Sequence, residues 1–287
     1  MVKLKLNLSR YFPYFYIFPV YAFIGIIIIY PIVFLIALSF FDVSLNLRYT
    51  FVGLSNFERL FRDRKFINTF KPAAIFVGGS VAGQNGFGFL LSLLLNRKVK
   101  GKEFLRALFL IPWLISDLIL GYMFLILFDF HGAINDLLKY FGFQPVNWLM
   151  STDLAIWIVT LANVWKSSCI VMAMHSSGLQ SIPEELYDAA YVDGASLWQR
   201  FRFVTLPLMK PFIALSLIIT TVATFNYFGV IYVITYGGPL DSTTVPTFYM
   251  YRWAFEWGQL GYASAIGVSV MIINVILTAV YIKILLR

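Results

Sequence analysis

Two charged side chains, Asp117 and Lys166, stand inside otherwise uncharged apolar runs. A charge in hydrocarbon is costly, so such residues face a cavity, a pathway or a partner charge. On a straight helix Trp113 lies one turn before Asp117 and shares its face. A carboxylate accepts hydrogen bonds from paired hydroxyls, and an indole can lie flat against a pyranose ring. The alternative is an Asp117–Lys166 ion pair between two helices, with Trp113 as packing. The next runs offer Asn163, Trp165, Lys166 and Ser167, then Thr220, Thr221, Thr224, Asn226 and Tyr227. Thr220 and Thr224 are one turn apart on one face. Hydroxyls in apolar helices more often bond their own backbone or a neighbouring helix, so each alone carries little weight. In "AGQNGFG", Gln84 and Asn85 stand among small residues, which suggests close helix packing first and pore lining second.

Covalent chemistry is not expected. No nucleophile–base constellation is visible, so no catalytic residue is assigned. His131 and His175 are far apart, and no Cys or carboxylate cluster has metal-ligand spacing, so no metal is expected. A phosphate-binding loop is missing too; the nearest string, Gly101-Lys102-Glu103, lacks the glycine-rich lead and the hydroxyl.

The elements that must carry these residues are membrane helices. A soluble domain has about 25% charged residues, whereas this chain of 287 residues is 13% charged, 60% hydrophobic and 18% aromatic. The net charge of +8 fits basic loops that set orientation against an anionic leaflet rather than nucleic-acid binding. A single cysteine, Cys169, excludes an internal disulfide. Spans need roughly 20 apolar residues, and six runs qualify: 11–41, 72–95, 107–128, 154–177, 211–234 and 260–282. Helix is the default for all six, because a spanning segment must satisfy its own backbone. Lys3, Lys5 and Arg10 precede the first run as in a signal peptide, but its length and the lack of a small-residue cleavage site predict a retained helix.

Arg97, Lys98, Lys100, Lys102 and Arg106 make the loop after the second run strongly basic. With the basic tail, Lys283 and Arg287, this loop predicts cytoplasmic termini in the cell membrane. Arg59, Arg62, Arg64 and Lys65 in the first external loop oppose that assignment. Tyr14, Trp148 and Trp253 sit near span ends, as interfacial anchors do. Without repeats or low-complexity linkers, the chain is expected to form one all-α domain over residues 1–287.

One polar stretch, "IPEELYDAAYVDGASLWQRFRFVTLPLMKP", separates the fourth and fifth runs on the predicted cytoplasmic side. Ser181 is placed to N-cap a helix, with Pro183 in its first turn. Glu184 and Glu185 suit the positive end of the dipole. Leu186, Ala189 and Ala190 share a face. Gly194 can end the helix at positive φ. A second helix follows with Leu197, Phe201 and Val204 in register, broken at Leu206-Pro207. Such a knob can sit in another protein's groove or lie as a hairpin on the lipid headgroups.

The pattern Glu185-x-x-Asp188-Ala189-Ala190-x-x-Asp193-Gly194-Ala195, then Phe201, Val204 and Leu206-Pro207, resembles the EAA loop. That loop marks the membrane subunits of ATP-binding-cassette (ABC) importers. Asp188 replaces the usual Glu, and Val204 the commoner Ile. "FVGLSNFERLF", "RALFLIPW", "GLQSIP", "TYGGPLDSTT" and "YRWAFEWGQLGYASAIG" extend the likeness to the carbohydrate branch. They resemble the larger permease subunit of maltose transporters, without its big external insertion.

The resemblance implies a type I importer fold and a half-pore working by alternating access. Its implied partners are a second permease subunit, two ATP-binding subunits that carry ATP and magnesium, an extracytoplasmic solute-binding protein, a sugar and the membrane lipids. Glu185, Asp188, Ala189, Ala190, Asp193, Gly194, Ala195, Phe201, Leu206 and Pro207 would couple to the ATPase. Trp113, Asp117, Asn163, Ser167, Thr220 and Thr224 match the family's sugar-contact positions, with different residue types at several of them. Asn226 and Tyr227 join them as candidates from the fifth run. A polar solute such as glycerol 3-phosphate is the alternative cargo; Lys166 would suit its phosphate and Asp117 would oppose it. An ion-driven transporter and a membrane scaffold are the alternatives from other classes.

Overall fold

A computed structural model of the chain describes residues 12–43, 48–96 and 101–285. Lys3, Lys5, Arg10, Arg97, Lys98, Lys100 and Arg287, on which sidedness partly rests, lie outside the described residues, as does the side chain of Tyr14. The first elements are α1 (Phe12–Ile24), a π turn (Gly25–Ile29), α2 (Tyr30–Leu38), β1 (Phe41–Val43), β2 (Tyr49–Phe51), α3 (Ser55–Arg62) and α4 (Arg64–Asn68). Then come α5 (Phe70–Asn96), α6 (Lys102–Leu114), α7 (Asp117–Leu127), α8 (Ala133–Tyr140), α9 (Ala155–Gln180), α10 (Glu184–Val192) and α11 (Leu197–Arg200). The chain continues through a π turn (Phe201–Thr205), α12 (Leu206–Phe225), α13 (Gly229–Ile234), α14 (Pro246–Tyr251), a π turn (Arg252–Glu256) and α15 (Leu260–Leu285). Among the described residues the only strands are β1 and β2, an antiparallel pair with Phe41 opposite Phe51.

Among the described residues, five helical stretches are long and apolar enough to cross a membrane: Tyr16–Leu38, Arg64–Asn96, Ala155–Gln180, Leu197–Ile234 and Leu260–Ile284. A sixth arises if α6 and α7 together count as one span. That third run is not the straight helix expected, because α6 and α7 meet at 92°. Ile115 is extended, and Ser116 N-caps the new helix by accepting from the Ile119 N–H at 3.3 Å. A serine cap followed by an acid in the first turn starts a helix better than it continues one.

Leu206-Pro207 also departs from expectation, because the helix runs through it. Proline lacks an N–H, and its ring clashes with the carbonyl four residues earlier in a regular helix. The π turn at Phe201–Thr205 widens the preceding backbone, and the Leu206 N–H reaches the Phe201 carbonyl. The same device precedes Pro31, where the Tyr30 N–H reaches the Gly25 carbonyl.

The chain forms two compact units. In the unit of Met1–Arg62 and Met250–Ser269, Asn56 Nδ2 donates to the carbonyls of Ser39 and Phe41, both at 2.9 Å. Arg59 donates to Gln259 Oε1 at 2.8 Å and lies 4.6 Å from the Trp253 ring and 4.3 Å from that of Tyr262. This charge is held by internal aromatic contacts, which weakens it as a signal of sidedness. Trp253 thus serves local packing.

In the unit of Asp63–Tyr249 and Val270–Arg287, α5 packs along α9. Small residues on α5 permit the close approach. A Cβ on Gly83 would stand 2.6 Å from Val164, and one on Gly88 would stand 2.9 Å from the Ser168 carbonyl oxygen. α6 covers Leu91, Leu95 and Met172 with Leu105, Phe109 and Leu110. Trp148 donates to Asn135 Oδ1 at 3.0 Å, so this indole also has a structural partner.

Candidate functional site

A cavity of about 320 Å³ opens between α5, α6, α7, α9 and α12. Gln84 comes from α5, Trp113 from the end of α6 and Asp117 from the start of α7. α9 supplies Asn163, Lys166, Ser167 and Ile170; α12 supplies Ile219, Thr220, Ala223 and Thr224, with Tyr227 just beyond. Seven of the eight sequence candidates line this one wall. The eighth, Asn226, does not. It donates to the Val222 carbonyl at 2.8 Å and accepts from Asn274 on α15 at 3.2 Å.

Asp117 Oδ1 accepts from Lys166 Nζ and from Tyr227 O–H, the latter at 2.6 Å. The ion-pair alternative is therefore realised in the cavity wall itself. The Lys166 side chain is 14% exposed and that of Asp117 38%. Both charges are needed, because either alone would stand unpaired in a partly desolvated space. Gly229 leaves room for the carboxylate; a Cβ there would overlap Asp117 Oδ2. The bend puts Trp113 on a different helix from Asp117, so they share a cavity and not a helix face. Trp113 is half exposed.

Several other polar groups of the wall and behind it are hydrogen-bonded inside the protein. Asn163 Nδ2 donates to Ser80 Oγ at 3.0 Å, and Ser167 Oγ donates to Asn163 Oδ1 at 3.2 Å. Asn163 is thus occupied inside the protein and positions Ser167. Thr220 Oγ donates to the Ser216 carbonyl at 2.7 Å and accepts from Asn85 Nδ2 at 3.1 Å. Ser216 Oγ donates to Asn85 Oδ1 at 2.7 Å and lies 2.9 Å from His175 Nε2. His175 meets Phe89 edge-on at 5.3 Å, and Phe89 lies 6.2 Å from Phe201 at the base of the polar loop. Asn85 joins the glycines in packing α5, whereas Gln84 faces the cavity.

The polar loop is a stiff helical hairpin. Ser181 does not cap α10. It ends α9, where its Oγ donates to the Gly178 carbonyl at 2.7 Å, and Pro183 takes the N-cap position instead. Proline's fixed φ and the acids Glu184 and Glu185 then start the helix. Gly194 has φ +76°, and the Ala195 N–H closes the end on the Ala190 carbonyl at 2.9 Å. Ser196 and Gln199 form a reciprocal capping box for α11. Tyr187 bonds Thr205 at 3.0 Å and packs on the cluster of Leu179, Ile182 and Met209.

The opposite side of the hairpin is open. Leu186, Asp188, Ala189, Val192, Asp193, Leu197 and Trp198 are exposed. Leu197, expected in register with Phe201 and Val204, is 77% exposed while those two are half-buried. An apolar, acid-flanked surface with a firmly seated back is suited to contact another protein.

The family model described as "Binding-protein-dependent transport system inner membrane component" matches residues 84–284. A trehalose/maltose transport system permease protein, MalF of Thermococcus litoralis, is 33% identical over 94% of this chain and 92% of its own. A sulfoquinovosyl glycerol transport system permease protein, SmoG of Agrobacterium fabrum, is 35% identical over 93% and 88%. The fold is similar to that of a chain in the crystal structure of a bacterial alginate ABC transporter, with TM-score 0.83 and 22% identity over 98% and 96% of the two chains. The chain therefore belongs to the family of binding-protein-dependent transport system inner membrane components, the membrane-embedded permeases of ABC transporters, in which ATP hydrolysis resides on a separate subunit.

Proposed function

We propose that this permease carries a neutral carbohydrate into the cell through the cavity bounded by Trp113, Asp117, Ser167, Thr220, Thr224 and Tyr227. The observation that carries this reading is the charge balance of the wall. Its one cation, Lys166, is paired with its one carboxylate, Asp117, and the other polar lining groups are amides and hydroxyls. An indole face, hydroxyls and amides around a neutral space suit a sugar ring. The relatives named for sugar transport support the same class. A phosphate-bearing solute would need Lys166 free, and the pair with Asp117 opposes that alternative.

The family assignment replaces the ion-driven and scaffold alternatives. The working unit is a heterodimer with a second permease, joined by two ATP-binding subunits on the cytoplasmic side and fed by an extracytoplasmic solute-binding protein. Both termini and the hairpin face the cytoplasm. The exposed face of α10 and α11 enters a groove of the ATPase, and closure of the ATPase dimer moves the hairpin as one lever. Such a lever transmits work only because it binds the two ATPase states unequally.

The test is reconstitution of the chain with its co-purifying subunits in proteoliposomes. A neutral sugar should stimulate ATP hydrolysis and be taken up. Preference for sugar phosphates, or uptake by this chain alone on an ion gradient, would refute the reading.

A further inference from the structure

We infer that Gln84 is a specificity-determining residue of this cavity, its side-chain amide being kept free inside the protein to bond a hydroxyl of the transported solute. The inference deepens the carbohydrate reading and rests on it. Gln84 is 1% exposed, yet it forms part of the cavity wall. Its Nε2 is buried and has no hydrogen-bond partner among the described residues. Buried polar groups are almost always paired, and one left unpaired destabilises the protein that holds it. A leucine or methionine would fill the same volume without that cost.

The neighbours set Gln84 apart from the amides that serve packing. Asn85, the next residue, has both ends of its amide engaged by Val81, Thr220 and Ser216. Asn163 is engaged by Ser80 and Ser167, and Asp117 by Lys166 and Tyr227. On a wall where the other amides and the charges are committed to the protein, the amide of Gln84 is uncommitted. Thr224, 3% exposed on the same wall, likewise makes no side-chain hydrogen bond among the described residues. A solute with adjacent hydroxyls satisfies these groups; an apolar solute leaves them stranded. Sites that bond a solute hydroxyl reject analogues lacking it far better than apolar pockets reject a changed methylene.

The experiment uses the full transporter in proteoliposomes, the sugar that the wild type carries and a series of its monodeoxy analogues. Gln84→Leu should raise the concentration for half-maximal uptake about tenfold, the loss of one such bond. The thermal midpoint of the complex should stay level or rise. The wild type should disfavour one deoxy analogue about tenfold, and Gln84→Leu should treat that analogue and its parent alike. Gln84→Met serves if the leucine variant fails to assemble. A lowered thermal midpoint with unchanged half-saturation would make Gln84 structural and overturn the inference alone. A wild-type transporter that ignores every sugar would overturn the carbohydrate reading first and this inference with it.

Discussion

Replacing Asp117 by asparagine isolates the charge balance on which the carbohydrate reading stands. The change keeps the side chain's size, removes its charge and turns one acceptor oxygen into an NH2 donor. Lys166, 14% exposed, then loses its carboxylate, and the Tyr227 hydroxyl donates to a neutral acceptor instead of a charged one. Breaking a buried ion pair from one side costs about 3–5 kcal/mol. Asp117 is 38% exposed, so solvent screening reduces that to about 2 kcal/mol. Removing both charges, Asp117→Asn with Lys166→Met, leaves no stranded ammonium and should come within about 1 kcal/mol of wild type. Thermal unfolding of the assembled transporter should therefore rank the single variant lowest, with the double variant close to wild type. Uptake gives a second readout. The single variant has a net positive cavity, so a sugar phosphate should inhibit its sugar uptake and leave wild-type uptake unaffected. A single variant as stable as wild type, or a double variant no better than the single, would refute the compensating pair.

Gly194→Val places a β-branched residue at φ +76°, at a strain of roughly 1–2 kcal/mol or more; a Cβ there meets nothing within 4 Å, so strain and not collision is the cause. Solute-stimulated ATP hydrolysis and uptake should fall while solute binding in the cavity persists. Gly88→Leu pushes a Cβ to 2.9 Å from the backbone oxygen of Ser168, which cannot swing away. The α5–α9 seam should loosen by about 1–3 kcal/mol, read as lower yield and an earlier thermal midpoint. Trp113→Ala removes a ring that is 53% exposed, so the thermal midpoint should hold while half-saturation by the sugar weakens about tenfold, the scale of an aromatic stacking contact.

Spans, breaks and caps are local matters, and most of them were legible in the residue order. Runs of roughly 20 apolar residues become helices because no other open structure satisfies the backbone in lipid. The hairpin announced itself through Glu184, Glu185 and the Asp193-Gly194 end, since dipole and positive φ act within a turn. Where local signals competed, the order of residues misled. Ser116-Asp117 carries the mark of a helix start, masked by the hydropathy of its run. Ser181 and Pro183 both suited the N-cap region, and the continuing helix α9 claimed the serine. Pro207 signalled a break, but a widened turn absorbed it.

Residue order alone specifies a membrane-spanning transport subunit without nucleotide chemistry, and it specifies which polar residues stand inside the helices. What those residues face depends on how the helices pack. Asp117 and Lys166 are 49 positions apart, and Asp117 and Tyr227 are 110 apart, yet they share one oxygen. Asn226, as polar as its neighbours, was turned to Asn274 and away from the cavity. Gln84 and Asn85 are adjacent and chemically alike, but successive residues on a helix point about 100° apart. One amide meets the network of α12, and the other forms part of the cavity wall. Helix rotation and packing between distant segments of the chain set that difference, and neither is encoded within any single stretch of residues.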